Sequence, residues 1–393
     1  MTKLNFDVVA LTQSLVRCPS VTPVDGGALK VIEDHLKKIG FKCKRLTFRD
    51  KKSYVVENLY ATIGSSGKHL AFAGHTDVVP PGKNSSWTYH PFSAKISNGK
   101  LYGRGVEDMK GNIASFISAA NSFISKYGKN FDGKLSFIIT GDEEKEAING
   151  TLKILKWSKE KKIKFNHCIV GEPTSQKHVG DKLKIGRRGS INFFIEVKGI
   201  QGHTANSHRA ENPAHHLIKL LNRIISNPLD EGNEFFVPTS IQIPTIDIGN
   251  PAANVIPEYA KATINIRFNN NHSGKSLKSW LEDHIKLYFN DFPNSSCTFK
   301  TEQTGESFLT KPGKLSSIIS SSCKEINKTN IEPILGTDGG TSDARFIKNY
   351  CEVVEIGLVN KTLHQVNENV PIKDLYKLND IYFRIIEKYF NKI

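Results

Sequence analysis

Three short apolar runs in this chain each stop at a cluster of groups that bind metals or move protons. Leu70–Ala73 runs into Gly74-His75-Thr76-Asp77, Leu135–Thr140 into Gly141-Asp142-Glu143-Glu144, and Cys168–Val170 into Gly171-Glu172-Pro173-Thr174. Short unbroken apolar runs bounded by such punctuation read as strands buried on both faces, the kind that parallel sheets require. Helical spacing before them, in Leu29–Ile39, and between them, in a long segment from Asp108 to Tyr127 and in Ala147–Ser158, gives the alternation of helix and strand. Open α/β sheets place their sites outside the carboxyl ends of the strands, where all three polar clusters fall.

At 393 residues the chain is long enough for two domains. After Glu172 the texture changes. Ile191–Val197 is a β-branched and aromatic run, and Pro213–Ile225 reads as helix. Ser240–Ile248 and Lys261–Phe268 read as strands, Leu277–Phe289 as helix, and Cys297–Thr301 as a further strand. That order is a split βαβ sandwich of ferredoxin-like type. The α/β texture then returns with a helix at Lys314–Ile326, a strand at Cys351–Ile356 and a terminal helix from Leu375. The expectation is a catalytic domain in two parts, 1–182 and 306–393, with a domain at 183–305 inserted between them.

Charge raises the question of nucleic acid, because 54 basic against 39 acidic residues give +15. No zinc finger, aromatic RNA-binding strand or Arg-rich helix accompanies that charge, so a solvated basic surface is expected, with no nucleic-acid partner. No stretch approaches the ~20 consecutive apolar residues of a membrane span, and no membrane partner is expected. Met1–Arg17 mixes Lys3, Asp7, Gln13 and Arg17 into its apolar positions, which reads as an amphipathic first helix with Leu4–Val16 at helical spacing, unlike a signal peptide. Six cysteines are scattered without a CxxC pair, which fits reduced thiols and a cytoplasmic location.

Each polar cluster alone has an ordinary reading. His75-x-Asp77 could be a hydrogen-bonded loop, Asp108 a helix N-cap, and Glu143-Glu144 a solvated turn. With Glu172, and with His364 near the C-terminus, they make a set of imidazoles and carboxylates without thiolates. Such a set suits a pair of borderline dications such as zinc or cobalt in a catalytic setting. In extended chain Asp77 lies on the side of His75 and can orient a metal-bound ring. Of two adjacent glutamates, one can ligate while the other serves as general base.

At this point the chain resembles the M20 family of metallopeptidases over essentially its whole length. The residues that carry the resemblance are Gly-His-Thr-Asp-Val-Val-Pro, Gly-Arg-Gly-x-x-Asp-Met-Lys-Gly, Asp-Glu-Glu and Gly-Glu-Pro-Thr. Lys184–Ser190, Lys198–His203, Asp230–Phe236 and Gly339–Phe346 add to it. The resemblance implies a zinc-exopeptidase-like catalytic domain with a mostly parallel mixed sheet and an inserted α+β dimerisation domain. It implies hydrolysis of the amide bond of N-succinyl-L,L-2,6-diaminopimelate, a step of bacterial lysine and cell-wall precursor synthesis, by a homodimer acting on a small anionic substrate. Two Zn2+ per subunit, replaceable by Co2+, would be bridged by Asp108, one completed by His75 and Glu172 and the other by Glu144 and His364. Glu143 would be the general base and acid, Asp77 would orient His75, and His203 would stabilise the oxyanion. Arg187, Ser190, Arg267, Gly340, Thr341 and Asn360 fall where the family binds substrate, with Asn254 at a dimer-crossing position.

Two departures stand out. Asn206 and Ser207 replace an expected tyrosine and proline after His203, and Glu107 stands where a small residue is expected and has no assigned role. The alternatives are another M20 amidohydrolase, such as an acetylornithine deacetylase, and a metal-free binding protein of the same fold that has lost catalysis.

Overall fold

The computed structural model describes residues 7–51 and 53–393. The chain divides into two compact units, one of residues up to Ile185 with Thr310–Gly336 and Ser342–Ile393, the other of Gly186–Leu309 with Thr337–Thr341.

The first unit is built on an eight-stranded mixed sheet in the order Lys42–Arg49, Val55–Gly64, Lys134–Thr140, His69–His75, His167–Val170, Glu352–Glu355, Lys182–Lys184, Ile334–Gly336. Its four central strands, Lys134–Thr140 to Glu352–Glu355, are mutually parallel. Every residue of His69–His75 is buried, because helices cover both faces of a parallel sheet. Phe72 stacks on Phe116 of the helix Gly111–Tyr127 with ring centroids 4.2 Å apart, and Tyr382 of the helix Ile372–Tyr389 meets Phe116 at 5.0 Å.

Two expected elements begin later than their apolar spacing suggests. The fourth helix runs Thr151–Glu160, and Ala147 has a φ of 53°. The Asp142 carboxylate accepts from Ala147 N at 3.2 Å, Asn149 N at 2.9 Å and the Tyr54 hydroxyl at 2.5 Å, which holds this stretch as a turn. The long helix begins at Gly111, not Asp108. Before it, Val106–Lys110 forms a wide turn with Asp108 extended at φ −123°, ψ 98°, so Asp108 is not an N-cap and its carboxylate is free for other partners. Gly105 enters that turn at φ +80°, where a Cβ would stand 2.4 Å from Val78 Cγ1. The first helix is described over Val8–Val16, N-capped by Asp7, and the start expected at Leu4 lies outside the described residues.

The second unit has four antiparallel strands in the order Ser240–Asp247, Tyr259–Phe268, Gly189–Lys198, Ser296–Gly305. Ile191, Phe193, Ile195 and Val197 alternate onto one face and pack with Leu217, Leu220 and Ile224 of one helix and Leu277 and Leu281 of another. Both helices have caps legible in sequence: Asn212 with Pro213 behind it, and a capping box between Ser273 and Ser276. Strand-helix-strand-strand-helix-strand in this spatial order is the split βαβ sandwich. No helix among the described residues is long and apolar enough to cross a membrane.

Candidate metal centre

His75 is the last residue of its strand and lies in register with Thr140, so the turn Gly141–Glu144 leaves the sheet beside it. Val170, two residues before Glu172, ends the strand on the other side. The wide turn before the long helix brings in Asp108. His75 Nε2 lies 3.1 Å from Asp108 Oδ1 and 4.0 Å from Glu172 Oε1. His364 Nε2 lies 3.1 Å from Asp108 Oδ2 and 3.2 Å from Glu144 Oε1. Each oxygen of Asp108 therefore faces a different imidazole. Ligand atoms of His75, Asp108 and Glu144 all lie within 4.8 Å of one another. His75 and Asp108 are buried, whereas the His364 side chain is 43% exposed, so the cluster opens on the His364 side.

Asp77 is oriented differently from the sequence expectation. The contact to His75 comes from its backbone: His75 Nδ1 donates to Asp77 O at 2.9 Å, and the carboxylate Oδ1 is 3.6 Å away. Since a carbonyl only accepts, Nδ1 carries a proton, and the ring turns Nε2 toward the carboxylates. The Asp77 carboxylate instead accepts from Glu143 N at 3.1 Å, Glu144 N at 3.1 Å and the Thr22 hydroxyl at 2.8 Å. It thus holds the turn that presents both glutamates.

Burial, opposed by the His75 charge and reinforced by Glu172, Asp343 and Glu144, raises Glu143 well above the usual carboxylate range. Burial likewise raises Glu144 and Asp77, against the pull of His364 and His75 respectively. For Asp108 the hydrogen bonds and charges of His364 and His75 overcome burial and lower it. Bonds to Asp108 and Glu144 raise His364 to about 10. This much negative charge in a dry site calls for cations. The donors fit a pair of borderline dications, being imidazole nitrogens and carboxylate oxygens around a two-sided carboxylate.

In the second unit, Ser190 pairs with Arg267 across adjacent strands, and Arg187 Nη1 donates to Gly340 O at 2.9 Å, with Thr341 next in sequence. Burial and the neighbouring Arg188 charge lower Arg267. His203 is paired with Val255, beside Asn254, whose carbonyl accepts from Thr204 N at 3.0 Å. His203 Nδ1 accepts from Ala205 N at 3.1 Å, and Asn206 and Ser207 lie on the exposed turn that follows. Asn360 is exposed in the first unit, its N–H bonded to Ser175 O.

One buried acid of this region has no role in the sequence reading. Asp343 has an Oδ1 without a hydrogen-bond partner, and burial, partly offset by Arg345 and His75, raises it to about 6. Its signal was present in Gly339-Gly340-Thr341-Ser342-Asp343-Ala344, an acid inside an otherwise small-residue stretch.

An open, mostly parallel α/β sheet whose carboxyl edge gathers imidazoles and carboxylates defines a metal-dependent hydrolase. The model of peptidase family M20/M25/M40 matches residues 71–388, and the chain belongs to this family. Among curated relatives, a succinyl-diaminopimelate desuccinylase of Parvibaculum lavamentivorans is 48% identical over 98% of this chain and 96% of its own length. A protein of the same name from Rhodopseudomonas palustris is 45% identical over 97% of this chain and 98% of its own. Among solved structures, aminopeptidase PepT of Bacillus cereus shares the fold with a TM-score of 0.77 at 18% identity, covering 97% of each chain. The M20 metallo-carboxypeptidase Sso-CP2 of Sulfolobus solfataricus has a TM-score of 0.76 at 18% identity, over 98% of this chain and 99% of its own.

Proposed function

We propose that this chain hydrolyses the amide bond of N-succinyl-L,L-2,6-diaminopimelate, releasing succinate and L,L-2,6-diaminopimelate in lysine and cell-wall precursor biosynthesis. The observation that carries the reading is near-full-length identity of 42–48% to eight curated relatives that all bear the desuccinylase name. The cluster around Asp108 supports it, since amide hydrolysis needs an activated water and a polarised carbonyl.

In this reading His75, Asp108 and Glu172 would hold one Zn2+, and Asp108, Glu144 and His364 the other, with Co2+ able to substitute. When bound, such a pair lowers the pKa of a water toward ~7 and polarises the scissile carbonyl. Glu143 takes the proton of the attacking water and returns it to the leaving amine. Asp77 keeps Glu143 and Glu144 in place through their N–H groups. His203 donates to the oxyanion, and Arg187, Ser190, Arg267, Gly340, Thr341, Asn254 and Asn360 bind the substrate's carboxylates and amide, the guanidinium forks matching carboxylates bidentately. The active form is a cytoplasmic homodimer.

The test is hydrolysis of N-succinyl-L,L-diaminopimelate by zinc-loaded protein, with N-acetylornithine alongside. Preferential cleavage of the succinyl compound is expected. Preference for the acetyl compound would keep the chemistry and move the substrate; no cleavage of either by protein holding two zinc equivalents would remove the reading.

A further inference from the structure

Two fully buried acids flank the metal centre without belonging to its ligand set, Glu107 and Glu368. Glu368 follows His364 on the same loop, yet its carboxylate grips the segment that carries Asp108. Oε2 accepts from Arg104 Nη1 at 2.7 Å and Gly105 N at 3.0 Å, and Oε1 from Glu107 N at 2.9 Å and Asp108 N at 3.3 Å. Glu107 precedes Asp108, yet its carboxylate grips the His364 loop: Oε2 accepts from Thr362 N at 2.9 Å and Thr362 Oγ1 at 2.7 Å. Each ligand-bearing segment thus sends a carboxylate into the other. Bonds to charged acceptors in a dry setting are the strong kind.

Two features show what the Glu107 arm is for. His364 sits at φ +59° and Asn367 at φ +62°, a left-handed backbone that costs energy for residues with a Cβ and persists only where neighbours enforce it. Glu107 is also a poor stabiliser in its own right. Its Oε1 is buried without a hydrogen-bond partner, and a buried, half-satisfied carboxylate costs folding energy. Glu368, by contrast, is offset by Arg104.

We propose that Glu107, acting through Thr362, is a positioning residue that sets His364 against Asp108, and that with Glu368 it forms a reciprocal clamp preorganising the metal position shared by His364, Asp108 and Glu144. This rests on the metal-centre reading above. The residue that departs from the expected small side chain is, in this view, the one that braces the exposed ligand.

The experiment measures zinc stoichiometry and affinity by chelator competition in the full-length protein, the d–d spectrum of the Co2+-loaded protein, and thermal melting of the metal-free protein. It compares wild type with Glu107→Ala, Glu107→Gln, Thr362→Val and the double variant Glu107→Ala/Thr362→Val. Wild type is expected to hold two equivalents. Glu107→Ala should hold one of them about 10–100-fold more weakly, the range seen when a ligand's supporting partner is removed. Its Co2+ spectrum should change, while metal-free melting stays the same or rises. Glu107→Gln, which keeps an acceptor for Thr362, should recover part of the loss, and the double variant should be no worse than Glu107→Ala. Equal affinities and spectra in Glu107→Ala and a metal-binding wild type would overturn the clamp alone. So would a fall in metal-free melting matching the loss of affinity, since that marks a purely structural staple. A wild type that takes up no zinc would overturn the metal-centre reading and the clamp with it.

Discussion

At the scale of single residues, the acids of this centre divide by their surroundings. Two imidazoles hold Asp108 below the usual carboxylate range against burial, whereas burial, reinforced by nearby carboxylates, raises Glu143. That split is the usual mark of a ligand beside a general base. Glu143→Gln should therefore cut kcat by ~10²–10⁴, the usual worth of a positioned base, with zinc content unchanged by metal analysis. His203→Ala should cost ~10²–10³ in kcat, typical for one oxyanion donor, again with both metals retained; loss of less than about fivefold would remove its role. His75, Glu143, Glu144 and Glu172 were legible in sequence because each sits just past an apolar run. What sequence could not show was Asp77 using its backbone carbonyl for His75 and its carboxylate for the glutamate turn. Both contacts depend on how two loops meet.

At the scale of elements, the strand His69–His75 carries the site at one end and a buried titratable group at the other. His69 Nδ1 donates to Lys164 O at 2.9 Å, and Nε2 lies 2.7 Å from the Ser136 hydroxyl. Burial, against the Lys164 bond and with the Lys134 charge, lowers His69 to about 4. The unfolded ring titrates near ~6.5, so on acidification the unfolded chain takes the proton first. The resulting stability is complete above that pH and is lost as pH falls toward 4, by about 3 kcal/mol in all. Urea melts of chelator-treated protein should show this steepening between pH 7 and 4, and His69→Asn should lack it. In the middle of the strand, Phe72 is completely buried between Phe116 and Phe137. Phe72→Ala should cost about 3–5 kcal/mol in the same assay. Helix starts were the least legible elements. Apolar spacing ran through Ala147 and Asp108, and only the Asp142 bonds and the wide turn at Val106–Lys110 moved those starts downstream.

At the scale of the whole molecule, crowded carboxylates make metal part of the protein's stability. Zinc at 100 times its dissociation constant should add about 2.7 kcal/mol per site, and chelation should lower the melting temperature reversibly while abolishing hydrolysis. The excess of +15 should show as a KM for the dianionic substrate that rises with ionic strength, the screening of a general attraction. Sequence alone determined the alternation of buried strands and crossovers, the split βαβ order of the second unit, and which residues are chemically able to hold a metal. Those properties follow from periodicity and residue type, which are local. Only the tertiary structure decided that Asp108 turns one oxygen to His75 and the other to His364, residues 33 and 256 positions away. Only there do Glu107 and Glu368 reach across to each other's segments. Such pairings depend on where parallel strands set the loops that follow them, a long-range property that local sequence does not encode.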